Sequence, residues 1–188
     1  MRFLSFLFCW TLAAQTFTVS GPTEVRVGQA VTFTLGFSAG TASVSGFQFE
    51  SPAQPWVSLL STKTVTCNSV NSRCILIGEN NADTISSSNV ATVNWVIPAV
   101  IPVSVSLFNI IATTPTGDAA TISGVVPLNL FLFGDVNGDR QLTRADVDAA
   151  KDQSLGKAPC NTGDVNKDGV CTVRDVQIVS NEVRAAGG

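Results

Sequence analysis

The sequence predicts a mainly β chain: an antiparallel jelly-roll β-sandwich followed by a small all-α module. Three observations lead there. Residues 15–132 are dominated by Thr, Ser, Val and Phe in short alternating runs bounded by Gly, Pro, Asn and Ser, with few charges. Residues 133–184 carry two acidic stretches of twelve residues that repeat in register. Residues 1–14 are of a third kind, and residues 185–188 form a short tail.

Met1-Arg2 is a basic start, Phe3 to Leu12 is a nearly continuous apolar run, and Ala13-Ala14 offers small residues for cleavage. This is the pattern of a secretory signal peptide, removed before Ala14 or Gln15 together with Cys9. The mature protein is therefore expected outside the cell. The apolar run is too short to span a bilayer, and no other stretch approaches the roughly 20 apolar residues required. Four cysteines remain, an even number in a secreted chain, which points to disulfides. Of the three possible pairings, Cys67 with Cys74 and Cys160 with Cys171 are favoured, because each pair is local and lies within one domain.

The sandwich is read strand by strand. Val31 to Phe37 has an apolar residue at every second place. Similar runs are Val44 to Phe49, Trp56 to Leu60, Thr64 to Cys67, Cys74 to Gly78, Val90 to Ile97, Val103 to Ala112 and Thr121 to Val126. None shows a helical period, so two packed sheets around one core are expected. Trp95 shares a strand face with Val93 and Ile97 and is assigned to that core, as is Trp56, rather than to a sugar-stacking platform. Val125 to Phe133 runs straight into the acidic region with no spacer, which predicts a last strand whose end packs near the C-terminal module.

The two acidic stretches are Asp135-Val-Asn137-Gly-Asp139-Arg-Gln141-Leu-Thr143-Arg-Ala-Asp146 and Asp164-Val-Asn166-Lys-Asp168-Gly-Val170-Cys-Thr172-Val-Arg-Asp175. Calcium takes six to eight oxygen ligands, and an EF-hand-type loop supplies them from positions 1, 3, 5, 7, 9 and 12. Those positions here are Asp135, Asn137, Asp139, the Gln141 carbonyl, Thr143 and Asp146, and then Asp164, Asn166, Asp168, the Val170 carbonyl, Thr172 and Asp175. Three carboxylates in so small a space repel one another unless a cation sits among them. Two calcium ions are expected. Position 6 needs a left-handed backbone, free for Gly169 but costing Arg140 about 1 to 2 kcal/mol, so the first site is expected to be the weaker. Each loop leads into a helix. The first runs from about Thr143 to Leu155 and buries Leu142, Val147, Ala150 and Leu155. The second carries the stripe Val173, Val176, Val179 and Val183.

With Asp at position 12 and a loop-and-helix unit repeated twice, residues 133–184 resemble the dockerin module. The resemblance implies that positions 10 and 11 of each repeat recognise a partner: Arg144 and Ala145, and Val173 and Arg174. These pairs differ from each other and from the hydroxyl-rich pairs of cellulosomal dockerins. In the sandwich, Gly28-Gln-Ala-Val-Thr-Phe33, Ser45-Gly-Phe-Gln-Phe49, Cys74-Ile-Leu-Ile-Gly78, Val90-Ala-Thr-Val-Asn-Trp95 and Ile110 to Gly117 follow one another in an order similar to that of a cohesin-type module. Cohesins are the receptors for dockerins and are related in fold to certain carbohydrate-binding modules. An immunoglobulin-like sandwich carries the same alternation.

No catalytic constellation stands out. The chain has no His and no Tyr, and Glu24, Glu50, Glu79, Asp83 and Asp118 form no recognisable acid pair. With 11 basic against 14 acidic residues there is no concentrated basic face for nucleic acid. The resulting expectation is a secreted, non-catalytic, calcium-dependent protein-interaction protein. Its partner is of cohesin or dockerin type, with a second copy of the chain among the candidates. The alternative is a carbohydrate-binding accessory protein of polysaccharide catabolism whose dockerin-like module attaches it to a larger assembly.

Overall fold

The computed structural model describes residues 15–187 apart from 39, 41–42, 79–82, 87, 121 and 123. The leader read at residues 1–14, with Cys9, and the acidic residue Glu79 lie outside the described residues. Two five-stranded sheets form the body. The first contains β1 (Thr16–Ser20), β3 (Ala30–Ser38), β5 (Trp56–Ser58), β8 (Ser88–Val96) and β12 (Gly124–Val126), in the order β12-β1-β3-β8-β5. The second contains β4 (Gly46–Glu50), β6 (Thr64–Asn68), β7 (Arg73–Ile77), β10 (Phe108–Thr113) and β11 (Ala119–Ala120), in the order β11-β10-β4-β7-β6. Two short ribbons pair β2 (Glu24–Val25) with β14 (Phe131–Leu132) and β9 (Ser104–Val105) with β13 (Leu128–Asn129). Helices α1 (Arg144–Ser154) and α2 (Val173–Ala185) follow.

Alternation places the core. In β3, Val31, Phe33, Leu35 and Phe37 point inward while Ala30, Thr32 and Ser38 stay exposed. Phe17 of the first sheet lies 4.6 Å, ring centre to ring centre, from Phe47 of the second, and Phe49 meets Trp56 edge-on at 6.1 Å, so the two sheets close face to face on an aromatic seam. Trp56 is buried and Trp95 half-buried against Phe33, as core assignments for both tryptophans require. A disulfide joins Cys67 to Cys74 directly across the β6/β7 pair.

Several sequence expectations are corrected. Strand β1 is not among the runs read from the sequence, and Thr16-Phe-Thr-Val-Ser alternates as cleanly as any later run. The sheets are not wholly antiparallel, since β1 pairs β12 and β2 pairs β14 in parallel. The run Val103 to Ala112 is two strands, because β9 pairs with β13 while β10 joins β4, with a register shift where Asn109 takes φ 48°. The stretch Val125 to Phe133 likewise breaks into β12, β13 and β14, each with its own partner. Pro127 at the first break has no N–H to continue a ladder.

Both helices begin with a capping box. Thr143 and Thr172 accept from the backbone of the first turn, and Asp146 and Asp175 reach back to the cap N–H groups at 2.8 and 2.9 Å. Leu142, Ala150, Val179 and Val183 are buried as expected, and Val147 and Val176 partly so. Leu155 and Val173 are not: they are 68% and 76% exposed. Leu155 caps the end of α1 and Val173 is the first residue of α2, where it lines an open groove between the helices. Among the described residues no helix is long and apolar enough to cross a membrane.

Candidate metal centre and interaction faces

In the first loop, side-chain oxygens fold the backbone around themselves. Asp135 Oδ1 accepts from the N–H groups of Gly138 and Asp139 at 2.8 and 3.2 Å, and Asp135 Oδ2 accepts from Arg140 at 2.8 Å. Asn137 Oδ1 accepts from Asp139 N at 2.9 Å, and Asp139 Oδ1 from Gln141 N at 2.9 Å. Asp146 is fully buried and closes the loop by accepting from Val136 N and Asn137 N at 3.0 and 3.2 Å. The outcome is a cluster in which one oxygen each of Asp135, Asp139 and Asp146 lies within 4.8 Å of the others.

The second loop repeats most of this frame, although Lys167 N donates to the Asp164 main-chain carbonyl and only the first loop brings its three carboxylates within 4.8 Å among the described residues. Asp164 accepts from Asp168 N and Gly169 N at 3.1 and 2.8 Å, Asn166 from Asp168 N at 2.9 Å, and Asp168 from Val170 N at 3.1 Å. Asp175, also buried, accepts from Asn166 N at 3.3 Å. Position 6 is left-handed in both loops, at φ 66° for Arg140 and 91° for Gly169. The Cys160–Cys171 disulfide ties position 8 of the second loop to the linker between the helices.

Electrostatics push position 1 of the first loop and position 12 of the second in opposite directions. Burial pushes the Asp135 carboxyl above the usual Asp range; the Arg140 and Gly138 N–H groups pull it down, and the Asp146 and Asp139 charges push it further up. Burial also raises Asp175, but hydrogen bonds from the Thr172 and Asn166 N–H groups and the Thr172 hydroxyl outweigh it, and its carboxyl ends below the usual range. An all-oxygen donor set with crowded carboxylates and an anion held under strain by burial fits a hard divalent cation such as calcium. Asp135, Asn137, Asp139, the Gln141 carbonyl, Thr143 and Asp146 could hold one ion, and the matching residues of the second loop another. What the sequence missed is the double duty of Asp146 and Asp175 as helix caps, although Thr-x-x-Asp is a legible signature.

The four recognition candidates, Arg144, Ala145, Val173 and Arg174, are all exposed. Arg144 and Val173 share one groove of about 420 Å³ between α1 and α2, floored by Val147, Val176 and Val183 and edged by Lys151 and Arg184.

A second face went unseen in the sequence. On the outside of the second sheet, Ile75, Ile77, Phe108 and Ile111 are 44%, 51%, 53% and 59% exposed. Their register brings Ile111 beside Gln48 and Gln48 beside Ile75 across β10, β4 and β7. Glu50 and Arg73 at its border pair at 2.9 Å, and the Arg73 hydrogen bond, helped by Asn109, holds the Glu50 carboxyl below its usual range. The outside of the first sheet presents Thr18, Thr32 and Asn94 together with the exposed valines Val57, Val96 and Val126. The signal was present in Cys74-Ile-Leu-Ile, where apolar residues occupy both faces of one strand.

No family model matches the chain, and no curated protein matches it. Solved structures do. A cohesin module from a Clostridium perfringens ATCC13124 family 33 glycoside hydrolase superposes with a TM-score of 0.50 at 15% identity, covering 64% of this chain and 98% of that one. A non-cellulosomal cohesin from the hyperthermophilic archaeon Archaeoglobus fulgidus gives 0.47 at 12% identity, covering 63% and 92%. The β-sandwich of this chain has a cohesin-like fold.

Proposed function

We propose that this chain is a secreted, non-catalytic protein-interaction protein in which a cohesin-like sandwich is joined to a calcium-dependent, dockerin-like module. The observation that carries the reading is the apolar sheet face of Ile75, Ile77, Phe108 and Ile111 on a sandwich of that fold. Exposed apolar side chains gathered on one flat sheet, with border charges neutralised against each other, suit burial against another protein better than contact with water. The partner is a module of dockerin or cohesin type, reached through this face or through the α1/α2 groove, and two calcium ions keep the groove in shape by holding the loops that start both helices.

The test is calorimetric titration of the chain with purified dockerin and cohesin modules, in calcium and in chelator. Binding to one of them is expected, with Ile75→Glu plus Ile111→Glu weakening a contact made by the sandwich at least about 10-fold while the fold is kept. A chain that binds neither module, or that binds a dockerin module with the apolar face reversed in character at undiminished strength, would remove the basis for the reading.

A further inference from the structure

Three consecutive residues of the sandwich grip the C-terminal module at three places. Glu24 accepts from Lys167 Nζ at 3.1 Å, and Lys167 is position 4 of the second loop. Val25 is fully buried, pairs with Leu132 in the β2/β14 ribbon, and accepts from Phe133 N at 2.9 Å through its carbonyl. Arg26 forms an ion pair with Glu182 in the last turns of α2, and its guanidinium lies 3.6 Å over the ring of Phe133. A fourth contact comes from the other flank. Val100 forms a β-bridge with Gln141, and Ile101 N donates to the Arg140 carbonyl at 3.3 Å.

These contacts fall on the residues that shape the loops. Asp135, the first ligand position, donates its N–H to Leu132 at 3.1 Å, the same residue that Val25 pairs with. Arg140 and Gln141 are positions 6 and 7, where the loop makes its left-handed turn and offers its carbonyl. The Lys167 to Glu24 pair is exposed and contributes little by itself. Buried Val25 and the stacking of Arg26 between Phe133 and Glu182 are stronger, since they remove apolar surface and align a planar cation with both partners.

We propose that the Glu24–Arg26 segment is a clasp that makes the sandwich and the C-terminal module one cooperative unit, so that calcium entering the loops stabilises the sandwich as well. The inference rests on the calcium reading of the loops. A ligand bound only by the native state protects every element that must open together with its site, whereas two modules on an independent tether would be protected separately.

Hydrogen exchange on the full chain, with calorimetry of calcium binding in parallel, decides it. At free calcium about 100 times the dissociation constant of the tighter site, that site alone slows the exchange of a fully coupled unit about 100-fold, and the other site adds to it. That slowing is expected in α2 and equally in β3 and β8, strands that touch neither loop. In the variant Glu24→Gln plus Arg26→Gln, and separately in Glu182→Gln, slowing should persist in α2 and shrink in β3 and β8. Calcium heat with protection confined to α2, or clasp variants whose β3 and β8 remain fully protected, would overturn the coupling and leave the calcium reading standing. Absence of any calcium heat would overturn the calcium reading itself.

Discussion

Asp135 opens the first loop at position 1 and Asp175 closes the second at position 12, and their surroundings push the two carboxyls in opposite directions. In Asp135, burial and the neighbouring Asp146 and Asp139 charges leave the folded-state value above that of an unfolded Asp, near 3.9. Without metal, the ionised form therefore costs stability at neutral pH, and that cost is relieved as pH falls through the raised value. Calcium needs the ionised form, so acidification competes with it there first. Asp175 is the opposite case: its contribution is present above the unfolded value and is lost only as pH falls through a lowered one. Calorimetric titrations at a series of pH values from 7 to 4 should show the first loop losing calcium at a higher pH than the second. Loss from the second loop first would contradict this assignment.

At the scale of the element, each loop-and-helix unit is one device, because the residue that closes the loop also caps the helix. Removing Asp146 strips hydrogen bonds from Val136, Asn137 and Thr143 at once. The two devices differ at position 6. Arg140 holds a left-handed φ of 66° that a glycine adopts without a Cβ penalty, and Gly169 already does so at 91°. The tighter clustering of carboxylates in the first loop works the other way, because it adds repulsion that only the ion relieves. Arg140→Gly is expected to raise stability by about 1 kcal/mol and to tighten calcium binding at the first site, with the second unchanged. Thermal melts and calcium titration of the variant check both halves.

For the whole molecule, the question is where a partner fits once the clasp has taken one side of the C-terminal module. The α1/α2 groove, with its apolar floor and Arg144, Lys151 and Arg184 at its edge, stays open, and so does the apolar face of the second sheet. One chain thus exposes two different surfaces, and a contact between unlike surfaces of successive copies does not close on itself unless the geometry makes a ring. Light scattering at rising concentration in saturating calcium should then show a growing mass that falls in chelator and in Arg144→Asp plus Arg174→Asp. A monomer at every concentration assigns both surfaces to separate proteins.

Local pattern was enough for much of this. Alternation in Val31 to Phe37 or Val90 to Ile97 marks a strand whatever surrounds it, and Thr-x-x-Asp after an Asp-x-Asn-x-Asp run specifies loop, cap and helix start within twelve residues. Both disulfides join residues close along the chain for the same reason. Pairing between distant segments was not legible. The division of Val125 to Phe133 among three partners, the parallel match of β1 with β12, the exposed face built from β10, β4 and β7, and the meeting of Arg26 with Glu182 all depend on residues far apart in the chain. Hydrogen-bond register and side-chain exposure on a sheet are set by which strand becomes the neighbour, and only the folded molecule decides that.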